Sequence, residues 1–217
     1  MYEGGQEALI DDMRGVTEAI RREYPDIPVF LLGHSMGSLA ARVYAREDDS
    51  MLDGMILCGS PGYSYLAPLG YAISTFLNAI GLGRWRPKLA HRLTSDMYNH
   101  DFDSEGPMAW ICSDPQVCKD YIENPKTGFR FTVNANKVLM GLMMEAYSSH
   151  APKAGKKDMP VIFLSGDDDP CTGGTHGLDK ALAAMHDAGY MDICKITYPA
   201  MRHEVLNEIG KERVWQD

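Results

Sequence analysis

The sequence predicts an α/β fold in which a mostly parallel sheet is flanked by helices and a helical cap is inserted after the second strand. Helix and strand patterns alternate in residues 1–59 and 157–217, which we assign to the core. The predicted strands are short, unbroken apolar runs, as is typical of strands buried on both faces of a parallel sheet. Residues 60–156 carry almost no strand pattern, so we assign them to the cap.

The chain before the cap alternates helix, strand, helix and strand. Residues 6–23 place apolar side chains at helical spacing, and Pro25 and Pro28 end that helix. Residues 29–32 form an apolar strand, which leads through a short turn into a helix from Met36 to about residue 46. After a polar turn, residues 55–59 are predicted to form the second strand.

The cap begins with a stretch that lacks charge, since residues 54–83 contain no charged side chain. A membrane-spanning helix is not expected there, because prolines and glycines interrupt the apolar runs well short of about 20 residues. Two interpretations stay open: a helix packed as core, or a helix that lines an apolar pocket or touches lipid. A later cap helix is predicted at about residues 134–147, where apolar side chains lie nearly all round.

The alternation of strands and helices resumes after a basic linker of small residues at positions 152–157. A strand at residues 160–165 is followed by a helix that ends near residue 188, where Gly189 can cap it. A final strand covers residues 192–198. The last predicted element is a helix that carries Val205, Leu206 and Ile209.

The charge of the chain excludes some classes of partner. Its 217 residues have a formal net charge of −9 and an isoelectric point near 5.2. Binding to nucleic acid or electrostatic attachment to anionic lipid requires basic patches, and the basic runs at residues 21–22 and 153–157 are short. We therefore expect no nucleic-acid partner and no electrostatic attachment to anionic lipid.

The cysteine pattern and the first residues of the chain predict its cellular location. The cysteines are odd in number, and their positions lack the spacing of metal ligands, which favours a reducing environment. The first residues contain neither the basic region nor the apolar region of a secretion signal. The expected location is the cytoplasm, and we expect neither a metal nor a cofactor. The cysteines are Cys58, Cys112, Cys118, Cys171 and Cys194.

Residues 33–37 read Gly-His-Ser-Met-Gly, a Gly-x-Ser-x-Gly motif between an apolar strand and a helix that begins with small residues. This context is typical of a nucleophile elbow, in which a strained turn holds the serine Oγ at the top of a sheet. Gly33 and Gly37 would leave room where the strand and the helix approach each other. The helix that begins at Met36 directs free N–H groups, and the positive end of its dipole, at charge that forms beside the serine. The motif predicts that Ser35 is a nucleophile.

A serine nucleophile needs a base, and the base needs a carboxylate that holds it in one tautomer. The candidate acids Asp167, Asp168 and Asp169 follow the third strand, and their distance from the strand end favours Asp169, with Asp167 second. His203 follows the last strand and is the candidate base, because the carboxyl ends of parallel strands meet at one crevice. The other histidines are less well placed, since His34 lies on the turn itself and the rest lie in a helix or in the cap.

These motifs resemble those of the α/β-hydrolase superfamily, specifically its branch of lysophospholipases and monoacylglycerol lipases. The resemblance is carried by residues 33–37, 166–170 and 198–204, with cap segments at 110–114 and 128–132. It implies that Ser35 is the nucleophile, Asp169 the acid and His203 the base of a catalytic triad. It also implies that the backbone N–H of Met36 contributes to an oxyanion hole.

The activity implied by the resemblance is hydrolysis of carboxylic esters through an acyl-enzyme. The charge-free start of the cap favours a lipid-like substrate such as a fatty acyl monoester. Peptidase, thioesterase and acyltransferase activities use the same machinery and stay open. A binding or scaffold protein on a hydrolase fold is the alternative from another class.

The chain departs from the family pattern in front of the elbow strand. Members have about four strands and a helix there, and a loop after one of those strands, usually with a His-Gly motif, gives the second oxyanion N–H. Residues 1–27 predict one helix, and relatives also continue the last helix beyond residue 217. We therefore expect an excerpt of a hydrolase with weak or no activity, since losing one oxyanion donor costs on the order of a hundred- to a thousandfold in rate. The unpaired apolar edge of the elbow strand predicts self-association.

Overall fold

The computed structural model describes residues 4–94, 96–150 and 152–217. Its centre is a sheet of four strands, β1 (Phe30–His34), β2 (Gly54–Cys58), β3 (Val161–Gly166) and β4 (Ile193–Tyr198). The strands are arranged in the order β1-β2-β3-β4, and each adjacent pair is parallel. All four carboxyl ends therefore lie at the same edge of the sheet. The predicted α/β class with a parallel sheet is confirmed.

Helices pack against the sheet, and the segment between β2 and β3 is mainly helical. The described residues between these two strands form helices and turns, as the absence of a strand pattern predicts. Two 3₁₀ segments cover Asp96–Glu105 and Pro170–Thr172. The α-helices are α1 (Gly5–Glu23), α2 (Met36–Glu47), α3 (Ala67–Ala79), α4 (Lys88–Thr94), α5 (Pro115–Glu123), α6 (Val133–Ala146), α7 (Gly174–Ala188) and α8 (Lys211–Gln216).

Helix α2 is buried along most of its length, and two of its buried residues are arginines. Arg42 donates from Nη2 to the carbonyl of Ala146 at 2.9 Å, and Arg46 donates from Nη2 to the carbonyl of Ser148 at 2.6 Å. These carbonyls lie at the C-terminal end of α6, where positive charge is favourable. The two arginines therefore attach α6 to the core. The division of the chain at residues 59 and 157 stays a prediction.

The predicted helix with Val205, Leu206 and Ile209 is wrong. These residues form turns, and the last helix, α8, begins only at Lys211 after Gly210, whose φ is +83°. The physical reason is the neighbouring Glu208, whose buried carboxylate accepts hydrogen bonds from backbone N–H groups of other segments. These tertiary bonds outweigh the local apolar spacing from which the helix was predicted.

Two features of the fold concern contacts with membranes and with other chains. Within the described residues, no helix is long and apolar enough to cross a bilayer. Strand β1 has a neighbour on one side only among those residues, and Phe30 and Leu32 are at least half exposed.

The turn between β1 and α2 depends on Gly33. A Cβ atom on Gly33 would lie 2.5 Å from the carbonyl oxygen of Gly37 and 2.8 Å from the Cα of Ser38. A Cβ atom on Gly37 would meet nothing within 4 Å. Of the two glycines that were predicted to leave room, Gly33 is the one that the packing requires.

We expect Gly33→Ala to lower the free energy of unfolding by about 1–3 kcal/mol, because the added methyl group forces backbone atoms apart. The matched control is Gly37→Ala, which should be neutral or stabilise by up to about 1 kcal/mol, since alanine favours a helix. Urea denaturation of both variants measures the difference. Equal losses of unfolding free energy in Gly33→Ala and Gly37→Ala would contradict the close packing of Gly33.

Candidate active site

Ser35 occupies a strained turn between β1 and α2. Its φ is +54° and its ψ is −122°, a left-handed conformation that costs a non-glycine residue on the order of 1–3 kcal/mol. The turn is held in place because the N–H of Ser35 donates to the carbonyl of Cys58 at 3.0 Å. Ser38 in turn donates to the carbonyl of Ser35, from N at 2.9 Å and from Oγ at 2.6 Å. This geometry is typical of a nucleophile elbow.

Met36 is the first residue of α2. The N–H groups of a helix's first turn have no partner within the helix, so that of Met36 is available to an anion next to the serine. Its role in an oxyanion hole stays a prediction.

Asp169 is the carboxylate that contacts His203. Its Oδ2 atom lies 2.9 Å from Nδ1 of His203, and its Oδ1 atom accepts a hydrogen bond from the N–H of Cys171 at 2.8 Å. Asp169 is 2% exposed, whereas Asp167 and Asp168 lie on the surface. Of the three adjacent acids, the structure brings Asp169 to the imidazole.

His203 is buried, with its ring fixed on several sides. The ring centroid lies 5.0 Å from that of Trp110 and 4.7 Å from that of His34. A Cβ atom on Gly59 would lie 3.0 Å from Nδ1 of His203, so the ring occupies space that a side chain there would fill. Since Nδ1 faces the Asp169 carboxylate, a proton on Nδ1 leaves Nε2 free to accept one.

The turn at Ser35 and the loop of His203 are joined through His34. The Nε2 atom of His34 lies 3.2 Å from the backbone carbonyl of His203. Burial lowers the pKa of His34, and His203 lowers it further, so His34 is neutral at pH 7 and can donate to that carbonyl. The structure thus brings Asp169 and His203 into direct contact and places the Ser35 turn beside them.

The cap segment at residues 105–113 holds the loop of His203 through Glu208. This carboxylate is 1% exposed, and its Oε1 atom accepts from the N–H groups of Ser113 and Arg202, each at 2.8 Å. Its Oε2 atom accepts from the hydroxyl of Ser113 and from the N–H of Ile209. The buried anion is therefore satisfied by neutral donors, two of them from the cap.

Arg202, next to His203, makes further bonds to the same cap segment. It donates from Nη1 to the carbonyl of Ala109 at 2.7 Å and from Nη2 to the carboxylate of Glu105 at 2.7 and 2.8 Å. Sequence analysis missed the contacts of Arg202 and Glu208, and it found no role for the Trp110 ring beside His203. Charge and hydropathy patterns do not reveal that Glu208 is buried, because the segment around it has the apolar spacing of a surface helix.

Three potential metal ligands meet at the site, since the ligating atoms of Asp169, Cys171 and His203 lie within 4.8 Å of one another. Burial, and secondly the Asp169 carboxylate, raise the pKa of Cys171 well above its ordinary value. In this arrangement the Asp169 carboxylate contacts Nδ1 of His203 at 2.9 Å and accepts from the N–H of Cys171 at 2.8 Å.

Comparison with known proteins identifies relatives of this chain. The profile of the Hydrolase_4 family, described as serine aminopeptidase S33, matches residues 1–210. Mouse monoglyceride lipase is 30% identical over 122 residues, which cover 52% of this chain and 36% of the mouse protein. A monoacylglycerol lipase of Mycolicibacterium smegmatis is 22% identical over 215 residues, which cover 96% of this chain and 67% of that protein. The match to the mouse protein thus spans about a third of its length.

Solved structures of similar fold include esterases and lipases. The carboxyl esterase of Bacillus coagulans in complex with glycerol matches with a TM-score of 0.80 and 25% identity, over 94% of this chain and 67% of the esterase. The monoacylglycerol lipase of Paleococcus ferrophilus matches with a TM-score of 0.67 and 19% identity, over 98% and 72% of the two chains. The resemblance to α/β-hydrolases of the monoacylglycerol-lipase type is confirmed.

We expect Glu208→Gln to destabilise the protein by about 1–3 kcal/mol, because an amide group in either orientation turns an N–H donor toward the N–H of Ser113 or of Ile209. Glu212→Gln, on the exposed surface of α8, is the control and should change stability by less than about 0.5 kcal/mol. Chemical denaturation measures both, and hydrogen exchange at the amides of Ser113 and Arg202 reports the local loss. Similar losses in the two variants would refute this role of Glu208.

Proposed function

Because this chain belongs to the Hydrolase_4 family of α/β-hydrolases, we propose that it is a serine hydrolase that cleaves carboxylic esters. The observation that carries the proposal is the buried contact of 2.9 Å between Asp169 and His203, at the sheet edge that also holds the strained turn of Ser35. A serine, a carboxylate and an imidazole, in this order along the chain, are the components of a catalytic triad in α/β-hydrolases.

In the proposed mechanism, Ser35 Oγ attacks the acyl carbonyl while Nε2 of His203 takes its proton. Asp169 keeps the proton on Nδ1 and stabilises the imidazolium that forms. The N-terminal N–H groups of α2, including that of Met36, stabilise the oxyanion. His203 then returns its proton to the leaving alcohol, and water releases the acyl group by the same steps in reverse order.

We propose fatty acyl monoesters as the substrate class. Two observations support this choice: relatives named monoglyceride or monoacylglycerol lipase, and a cap whose first 20 or so residues carry no charge. A peptidase, thioesterase or acyltransferase would use the same serine, so substrate tests must separate them.

A second candidate is a binding protein on a hydrolase fold, or a weak enzyme. Residues 4–29 form one helix, α1, and do not themselves supply a loop after an earlier strand. A site that held only the donor at Met36 would be weaker, because one such donor is worth about 2.7–4 kcal/mol of transition-state stabilisation.

The serine is tested by labelling with a fluorophosphonate probe. We expect modification of Ser35, its complete loss in Ser35→Ala and a strong decrease in His203→Ala, because the probe needs an activated hydroxyl. Hydrolysis of nitrophenyl esters and monoacylglycerols of increasing chain length, beside an aminoacyl amide, then defines the substrate. If the probe does not label Ser35 in the folded chain, the result would favour the binding protein.

The acid is tested by Asp169→Asn, which we expect to lower kcat by on the order of 10⁴ because the imidazole loses its correct tautomer. Asp168→Asn is the matched control: this carboxylate follows the same strand but is exposed, so kcat should be unchanged. Steady-state kinetics with a nitrophenyl ester measures both variants. A loss in Asp168→Asn as large as in Asp169→Asn would refute the assignment.

A further inference from the structure

His203 becomes a cation during the proposed reaction, although the residue is only 3% exposed. A buried cation has lost the water that would stabilise it, so the surrounding groups must replace that stabilisation. The carboxylate of Asp169 does so at one edge of the ring, since its Oδ2 atom lies 2.9 Å from Nδ1. The faces of the imidazole depend on other neighbours.

Two aromatic rings lie against the imidazole of His203. The centroid of the Trp110 ring is 5.0 Å away at an interplanar angle of 38°, which is nearer to a stacked than to a T-shaped arrangement. The second ring is the imidazole of His34, at 4.7 Å and 53°. Indole has the most strongly attractive face for cations among the aromatic side chains, and it acts within about 6 Å of its centroid. Trp110 is therefore the neighbour that can stabilise positive charge on the imidazole.

The indole of Trp110 is fixed beside the imidazole by backbone and ring contacts. The carbonyl of the following residue, Ile111, accepts a hydrogen bond at 2.8 Å from the N–H of Glu204, which directly follows the base. The ring of Tyr98 packs on the indole, with centroids 5.1 Å apart, and Trp110 is 8% exposed. Because the indole is already in place, no reorganisation is needed when charge forms on the imidazole.

The other charged groups near His203 do not replace this contact. Within the described residues, Asp169 is the one carboxylate that forms an ion-pair contact with the imidazole. The guanidinium of the adjacent Arg202 would oppose a second positive charge, but the carboxylate of Glu105 accepts from it at 2.7 and 2.8 Å and offsets its charge. The edge of the ring thus has a carboxylate, whereas its faces have aromatic rings.

We propose that Trp110 lowers the barrier of the hydrolysis by a cation–π contact with the imidazolium of His203. The indole attracts imidazolium more strongly than neutral imidazole, so the contact favours the transition state over the resting site. The inference rests on the proposed function, because the cation forms when His203 takes the proton of Ser35 Oγ. Trp110 acts through the base and is therefore a positioning residue.

Fluorinated tryptophans at position 110 separate this role from packing. Each fluorine on the benzene ring withdraws electron density from the indole face and weakens its attraction for a cation, while the shape of the side chain hardly changes. We expect kcat for a nitrophenyl ester to fall by about twofold per fluorine, and so by about tenfold with three, because only the charged form of His203 loses stabilisation. KM and the free energy of unfolding should stay unchanged.

The matched control places the same fluorinated residues at Trp215, which is 61% exposed, and kcat should then stay constant. Trp110→Phe keeps a ring with a weaker face, so its kcat should lie between those of the parent chain and Trp110→Leu. If Trp110→Leu unfolds, the fluorinated series alone decides. A constant kcat across that series, or equal losses at both positions, would overturn the cation–π contact. A parent chain that shows neither hydrolysis nor fluorophosphonate labelling would instead overturn the proposed function, and this inference with it.

Discussion

The hydrogen-bond register of the parallel strands decides where the chemistry of this chain lies. His34, the last residue of β1, pairs with Cys58, the last residue of β2, and the ladder continues through β3 and β4. The end of β1 lies level with Leu164, two residues before the end of β3, so the loops that follow β1, β3 and β4 carry Ser35, Asp169 and His203 to one edge. A slip of one residue in β1 would turn its side chains to the other face of the sheet and displace the serine turn.

Part of the predicted cap contributes contacts to the candidate site. Glu208 and Arg202 bond the loop of His203 to the cap segment at residues 105–113, and Trp110 of that segment packs on the imidazole. Arg42 of α2 also donates to a backbone carbonyl at the end of α6. The position of the His203 ring is thus coupled to residues 105–113, so a displacement of that segment would reach the hydrogen bond to Asp169.

The sequence was sufficient for the parts of the fold that depend on local pattern. Apolar runs located all four strands, the Gly-x-Ser-x-Gly motif located the turn of Ser35, and the order of the strand ends favoured Asp169 and His203. It was insufficient where distant segments meet. The buried carboxylate of Glu208 replaced a predicted helix with turns.

The two apolar surfaces of the molecule select different kinds of partner because their backbones differ. On β1, the exposed Phe30 and Leu32 flank an edge whose N–H and C=O groups have no strand beside them among the described residues. Such an edge accepts another strand, and the predicted self-association would use it. On α3, where large apolar side chains such as Leu69 and Phe76 are also exposed, the backbone groups are already bonded within the helix, so only apolar side chains are offered.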